Sequence, residues 1–117
     1  MKISIAIWTY SNTRSIYANK KTKEFSIDEH ELPFSKKFLK NSVKIVKNWP
    51  DHIENPDKVD GVIYQITYGK GKHQRTITGN NKTPEDFGKL MSLIKEYTPK
   101  TNADKIMAEL RNVEDIV

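Results

Sequence analysis

The spacing of hydrophobic residues changes several times along the chain, and these changes constrain the fold more than any other feature. Isoleucine occupies every second position from residue 3 to residue 7, which is the period of a β-strand. From residue 34 the apolar residues follow helical spacing, and from residue 62 they alternate again. Because no strand–helix–strand unit repeats, the pattern predicts an α+β protein rather than a doubly wound one.

Five strands are predicted, four of them in two hairpins. The first strand covers the isoleucine run, and residues 15–18 and 24–28 form a hairpin around the turn at 19–23. Residues 62–68 and 73–78 form the second hairpin around a turn with the sequence Gly-Lys-Gly-Lys at 69–72. The segment 51–61 between them is rich in Asp and Glu and is predicted to be a connecting loop.

Three helices are predicted. The first spans residues 34–48, with Pro33 suited to its start and Pro50 to its end. The second follows Thr83 as N-cap and Pro84 as first helical residue. The third begins at residue 101 or 102. The order β-β-β-α-β-β-α-α predicts a mainly antiparallel sheet of about five strands with helices packed on one face, in a single domain of residues 1–117.

Composition excludes several classes of protein. No window approaches the roughly 18 uninterrupted apolar residues of a membrane span, so no membrane association is expected. In the first ten residues the apolar side chains alternate with Ser and Thr, whereas a signal peptide has a continuous apolar run. The absence of cysteine excludes disulfides, thiolate zinc sites and a cysteine nucleophile. These features predict a cytoplasmic protein.

Motifs of catalysis are missing. The sequence contains no nucleophile elbow, Walker loop or dinucleotide fingerprint. Its three histidines, His30, His52 and His73, lie in polar segments without the helical spacing of a metal site. We therefore expect no enzyme, no cofactor and no bound metal. An enzyme that uses His30 or His52 is the third hypothesis.

The positive charge of the chain is sorted into two segments. The net charge is +5, yet residues 34–50 carry five lysines and no acidic residue, and residues 62–82 are also free of acids. This sorting predicts a basic surface that meets an acidic partner. The residues assigned to it are Lys36, Lys40, Lys44, Lys47, Lys70, Lys72, His73 and Arg75. The alternative is that these lysines only form a solvated helix face and an exposed hairpin, with their stems packed on apolar neighbours. An A/T-rich genome would also raise the lysine content without any acidic partner.

Two aromatic residues extend the candidate surface. Trp8 and Tyr10 share one face of the first strand, opposite the isoleucines. If the isoleucine face is the core, these rings point outward and are available to anchor a protein or to stack on bases. If both faces of the sheet are covered, the rings belong to the core instead.

The features together predict a small, non-catalytic interaction protein. It binds another macromolecule, in the first place a protein with an acidic surface, through a preformed basic surface. An immunity protein or an inhibitor of a bacterial toxin or enzyme is one such protein, because these are small, single-domain and without motifs. The alternative function is nucleic-acid binding by the lysine helix, the basic hairpin and the aromatics of strand one.

Overall fold

The computed structural model describes residues 1–10, 12–57 and 61–100. The α+β class is confirmed, because one sheet is combined with two helices in these ranges. The third predicted helix, which begins at residue 101 or 102, lies outside the described residues.

In the described part of the chain, one sheet of seven strands forms the framework, in the order β4-β3-β2-β1-β6-β7-β5. Every neighbouring pair is antiparallel except β5 and β7, which run parallel. The strands are β1 (Lys2–Trp8), β2 (Thr13–Asn19), β3 (Glu24–Ile27), β4 (His30–Glu31), β5 (His52–Glu54), β6 (Ile63–Lys70) and β7 (His73–Asn80). The helices are α1 (Lys36–Val46) and α2 (Phe87–Tyr97).

The prediction of about five antiparallel strands is therefore incomplete. The additional strands β4 and β5 have 2 and 3 residues and form the two edges of the sheet. Segments this short have no readable alternation, and they become strands only by pairing with a sheet already present. β5 lies within the segment that was predicted as a loop. Short edge strands also protect a sheet against pairing with another copy.

The core lies on the isoleucine face of the sheet, which is one of the two alternatives that the sequence left open. Ile3, Ile5 and Ile7 are at most 1% exposed, and both helices pack over them. Tyr64 and Trp49 are buried in the same core. Within the described ranges no helix covers the opposite face.

Both helices begin later than predicted. α1 is capped by Ser35, whose Oγ accepts a hydrogen bond from the Phe38 N–H at 3.0 Å. α2 begins at Phe87, after a turn in which the Phe87 N–H donates to the Pro84 carbonyl at 3.0 Å. Thr83 is therefore not the N-cap of α2.

The two helices cross opposite ends of the sheet. Near the hairpin turns, Lys23 lies 5.1 Å from the Phe34 ring just before α1, and Arg75 bonds the Lys47 carbonyl just after it. At the other end, Arg14 of β2 donates to Thr98 Oγ1, directly after α2. α1 thus lies on the side of the β2–β3 and β6–β7 turns, which we call the tip end, and α2 lies toward the far end.

Two buried polar atoms lack hydrogen-bond partners in the described part of the chain. They are Tyr64 Oη and Trp49 Nε1, whose rings pack at 5.8 Å between centroids. Burial raises the pKa of Tyr64 above its ordinary value of 10.0. A hydroxyl in this position carries a desolvation cost with no bond to offset it.

We expect Tyr64→Phe to leave stability unchanged or to raise it by about 1 kcal/mol, because it removes this uncompensated hydroxyl. Because the folded-state pKa of Tyr64 is raised, its ionisation does not change the free energy of unfolding below pH 10.0. As pH rises from 10.0 to the folded-state pKa, ionisation of Tyr64 in the unfolded chain lowers the free energy of unfolding. Urea unfolding at pH 7 and near pH 11 measures both effects. The wild-type protein should lose up to about 1.4 kcal/mol more than Tyr64→Phe over this interval. Equal losses would contradict the buried position of the hydroxyl.

Candidate functional site

A row of lysines covers the outer side of α1. Lys36, Lys40, Lys44 and Lys47 follow one another at intervals of four, four and three residues, so they share one face of the helix. All four are exposed, whereas Phe38, Leu39 and Val46 on the opposite side are buried in the core. We call these four residues the lysine stripe.

The β6–β7 hairpin presents a second group of basic residues. Its loop consists of Gly71 and Lys72, and only Gly71 has positive φ, 57°, as a type II′ turn requires. Lys70, Lys72 and His73 are all exposed at this turn. The compact loop therefore holds three of the predicted residues close together.

A third basic group was missed by the sequence analysis. The β2–β3 turn carries Lys20, Lys21 and Lys23, all exposed, and Lys2 begins β1 between the two hairpins. A groove of about 820 Å³ lies between the turns and is lined by Lys2, Lys20, Lys21, Lys23 and Lys70. We call it the tip groove. The three lysines of the turn were visible in the sequence, but their proximity to Lys70 depends on strand order.

The three groups occupy the same end of the molecule. α1 begins beside Lys23 and ends beside Arg75, so the lysine stripe runs across the sheet from one hairpin to the other. None of these lysines forms an ion pair with a carboxylate among the described residues. We call the lysine stripe, Lys37, the tip groove and Lys72 the basic end. A cluster of lysines that are not paired with carboxylates produces a positive electrostatic potential, which attracts an acidic surface.

Arg75 is half-buried and hydrogen-bonded to the segment that follows α1. Its guanidinium donates to the Lys47 carbonyl at 2.8 Å, to the Trp49 carbonyl, to Tyr68 Oη at 3.2 Å and to Asp51 Oδ1 at 2.9 Å. The hydrogen bonds with Tyr68 and Asp51 raise its pKa above the ordinary value. These bonds fasten the segment after α1 to β7, so Arg75 positions the basic end from beneath.

Trp8 and Tyr10 are exposed but lie elsewhere. Trp8 is 40% and Tyr10 94% exposed, and exposed Ile63 is the register partner of Trp8. Trp8 ends β1 whereas Lys2 begins it, a separation of about 20 Å along the strand. Trp8 also faces away from the helices. The structure therefore does not bring the aromatics and the lysine stripe onto one surface.

His30 and His52 lie on opposite edges of the sheet, in β4 and β5. His52 Nδ1 lies 2.7 Å from Thr78 Oγ1, and Nε2 lies 2.9 Å from Glu54 Oε2. The bond to Thr78 links the edge strand β5 to β7. His30 is exposed on β4. In the described ranges no three His, Asp or Glu side chains form a group able to hold a metal ion.

No protein family, curated protein or solved structure matches the chain. None of the helices described is long and apolar enough to span a bilayer.

Proposed function

We propose that this chain is a non-catalytic interaction protein that binds an acidic surface of another protein through its basic end. The observation that carries the proposal is the lysine stripe, in which four exposed cations follow one helix face without a carboxylate partner in the described residues. α1 is anchored by its buried side and by its Ser35 cap, so the backbone that carries the four lysines is held in place before binding. A preformed surface loses little conformational entropy on association.

The separation of the aromatics favours a protein partner over a nucleic acid. Proteins that bind single-stranded nucleic acids combine a basic groove with aromatic side chains on which the bases stack. Here Trp8 lies at the far end, on the other side of the sheet from α1, and Tyr10 follows beyond the end of β1 instead of sharing a strand face with Trp8. The basic end also consists of lysine, whereas readers of base edges depend on the bidentate fork of arginine.

Inhibition of an enzyme or toxin in the cytoplasm is the role we propose for this binding. Proteins of that kind act by covering a surface of the target, which requires a rigid complementary face and no catalytic groups. The helix face and the two hairpins provide such a surface.

Reversing the charge of the lysine stripe should abolish partner binding. We expect K36E/K40E/K44E to lower capture of the partner at least about tenfold, because charge complementarity controls both encounter and register. The control K82E/K95E/K100E changes the net charge equally, at exposed lysines outside the basic end. The measurement is capture from a lysate of the source cells by the immobilised protein, quantified by mass spectrometry, with circular dichroism to verify folding.

The outcomes separate the two classes of partner. One acidic protein retained by the wild-type and control proteins, and lost with the stripe variant, supports the proposal. Equal capture by both variants overturns it. Retention on duplex or single-stranded DNA that falls steeply with salt, in the absence of a protein partner, would instead establish nucleic-acid binding.

A further inference from the structure

The tip groove lies at the start of β1, between the two hairpin turns. β1 lies between β2 and β6, and Lys2 is the register partner of both Asn19 and Gly69. The hairpins on either side extend beyond Lys2 to their turns at 20–23 and 71–72, which form the two walls. Met1 also lines the groove, and its carbonyl accepts a hydrogen bond from the Lys20 N–H at 3.1 Å.

Both walls of the groove are basic. Lys20 and Lys21 lie on one side, Lys70 lies on the other, and Lys2 lies at the base. Among the described residues, no carboxylate lines the groove. Asn19 Oδ1 is already occupied by the Lys21 and Thr22 N–H groups, so it holds the turn in shape. The groove therefore offers cations and a rigid outline to a negatively charged ligand.

We infer that the tip groove binds an extended acidic segment of the protein partner. The groove has lysines on both sides, so it favours a ligand with carboxylates on two opposite sides, whereas a helical stripe of carboxylates faces one side only. Successive side chains of an extended segment point to opposite sides, so alternate carboxylates face Lys20 and Lys70 in turn. This inference rests on the proposed function, because the segment belongs to the same partner as the surface on the lysine stripe.

The volume of about 820 Å³ falls within the roughly 300–1,000 Å³ range of ligand sites. A phosphate-bearing ligand would meet the same cations, and lysine binds phosphate as a point charge. A nucleotide or single strand also needs a ring for stacking, and no aromatic side chain of residues 1–10, 12–57 or 61–100 lines the groove. The lining therefore favours carboxylates on a peptide.

The test is a titration of the ¹⁵N-labelled protein with hexaglutamate, followed by backbone amide shifts at about 0.15 M salt. We expect the shifts to fall on residues 19–23 and 69–72 and not on α1. Charges beyond about 8 Å are largely screened under these conditions, so the pattern reports direct contact. Shifts centred on the lysine stripe, or no shifts at all, would overturn the inference.

Two charge-matched variants then separate the groove from the stripe. K20E/K21E/K70E should weaken hexaglutamate binding at least about tenfold, and K36E/K40E/K44E less than about threefold. K20Q/K21Q/K70Q removes charge without reversing it and replaces the first variant if that protein does not fold. Tighter binding of tripolyphosphate or oligo-dT at the same amides would show that the groove is a phosphate site and overturn the assignment to a peptide.

The hexaglutamate assay does not require the partner protein. The proposed function and the assignment of the tip groove are therefore tested independently of each other. If the stripe variant still captures the partner, the proposed function is wrong whatever the peptide does. If capture depends on the stripe while hexaglutamate leaves residues 19–23 and 69–72 unchanged, only the groove assignment is wrong.

Discussion

Gly79→Ala is expected to destabilise the protein by about 3 kcal/mol, although it adds one methyl group. A Cβ at position 79 would lie 2.1 Å from Cε1 and 2.3 Å from Cζ of Tyr64, far inside van der Waals contact. The Tyr64 ring has no room to move away, because it is 1% exposed and packs against Trp49 and Phe87 at centroid distances of 5.8 and 5.7 Å. The φ of Gly79 is not positive, so the penalty is steric rather than conformational.

Thermal and urea unfolding measure this effect, and the loss corresponds to a fall of roughly 10–20 °C in Tm. Gly88→Ala is the matched control, since a Cβ at that helical position meets open space and alanine favours a helix. It should leave stability unchanged or raise it. In a Tyr64→Leu background the alanine at 79 should be at least about 1.5 kcal/mol less harmful. Additive losses would mean that ring and glycine do not touch.

Local periodicity predicts the long elements of this fold, but not its edges. The isoleucines of β1 and the apolar side of α1 identify strand, helix and core because each pattern repeats several times. β5 contains 3 residues and exists through its pairing with β7, which is distant in the sequence. The start of α2 likewise depends on the turn at Pro84, which Thr83 and its neighbours do not reveal by composition.

In the candidate site, too, residues on one helix are predictable from the sequence, whereas residues that meet through the sheet are not. The lysine stripe is visible in the sequence because its four members lie on one helix. Lys20 and Lys70 are 50 positions apart in the chain, and they meet only because β1 separates β2 from β6 in the sheet. Arg75 was predicted as a contact residue from its charge, but it lies on the same strand face as Ile77, which is the face toward α1. There it donates hydrogen bonds to backbone carbonyls.

Arg75→Ala is expected to cost about 2 kcal/mol and to weaken partner binding as well. The substitution removes the donor from the part-buried Trp49 carbonyl, and an unsatisfied buried carbonyl costs about 1–3 kcal/mol; the Lys47 carbonyl is more exposed, so water replaces its donor. The ion pair itself contributes little, since the Asp51 side chain is 80% exposed. Arg75→Lys should recover less than half of the loss, because an ammonium cannot reproduce the fork that spans both carbonyls.

The effect on binding distinguishes a positioning residue from a contact residue. Without the guanidinium, the segment after α1 is no longer fastened to β7, so Lys44 and Lys47 lose their fixed place. We expect faster amide hydrogen exchange at residues 47–52 and weaker partner capture, with hexaglutamate binding at the tip groove unchanged. Lys72→Ala, at an exposed residue of the neighbouring turn, should leave stability within about 0.5 kcal/mol. If Arg75→Ala removes partner capture without changing stability or exchange, Arg75 contacts the partner directly, as its charge alone predicts.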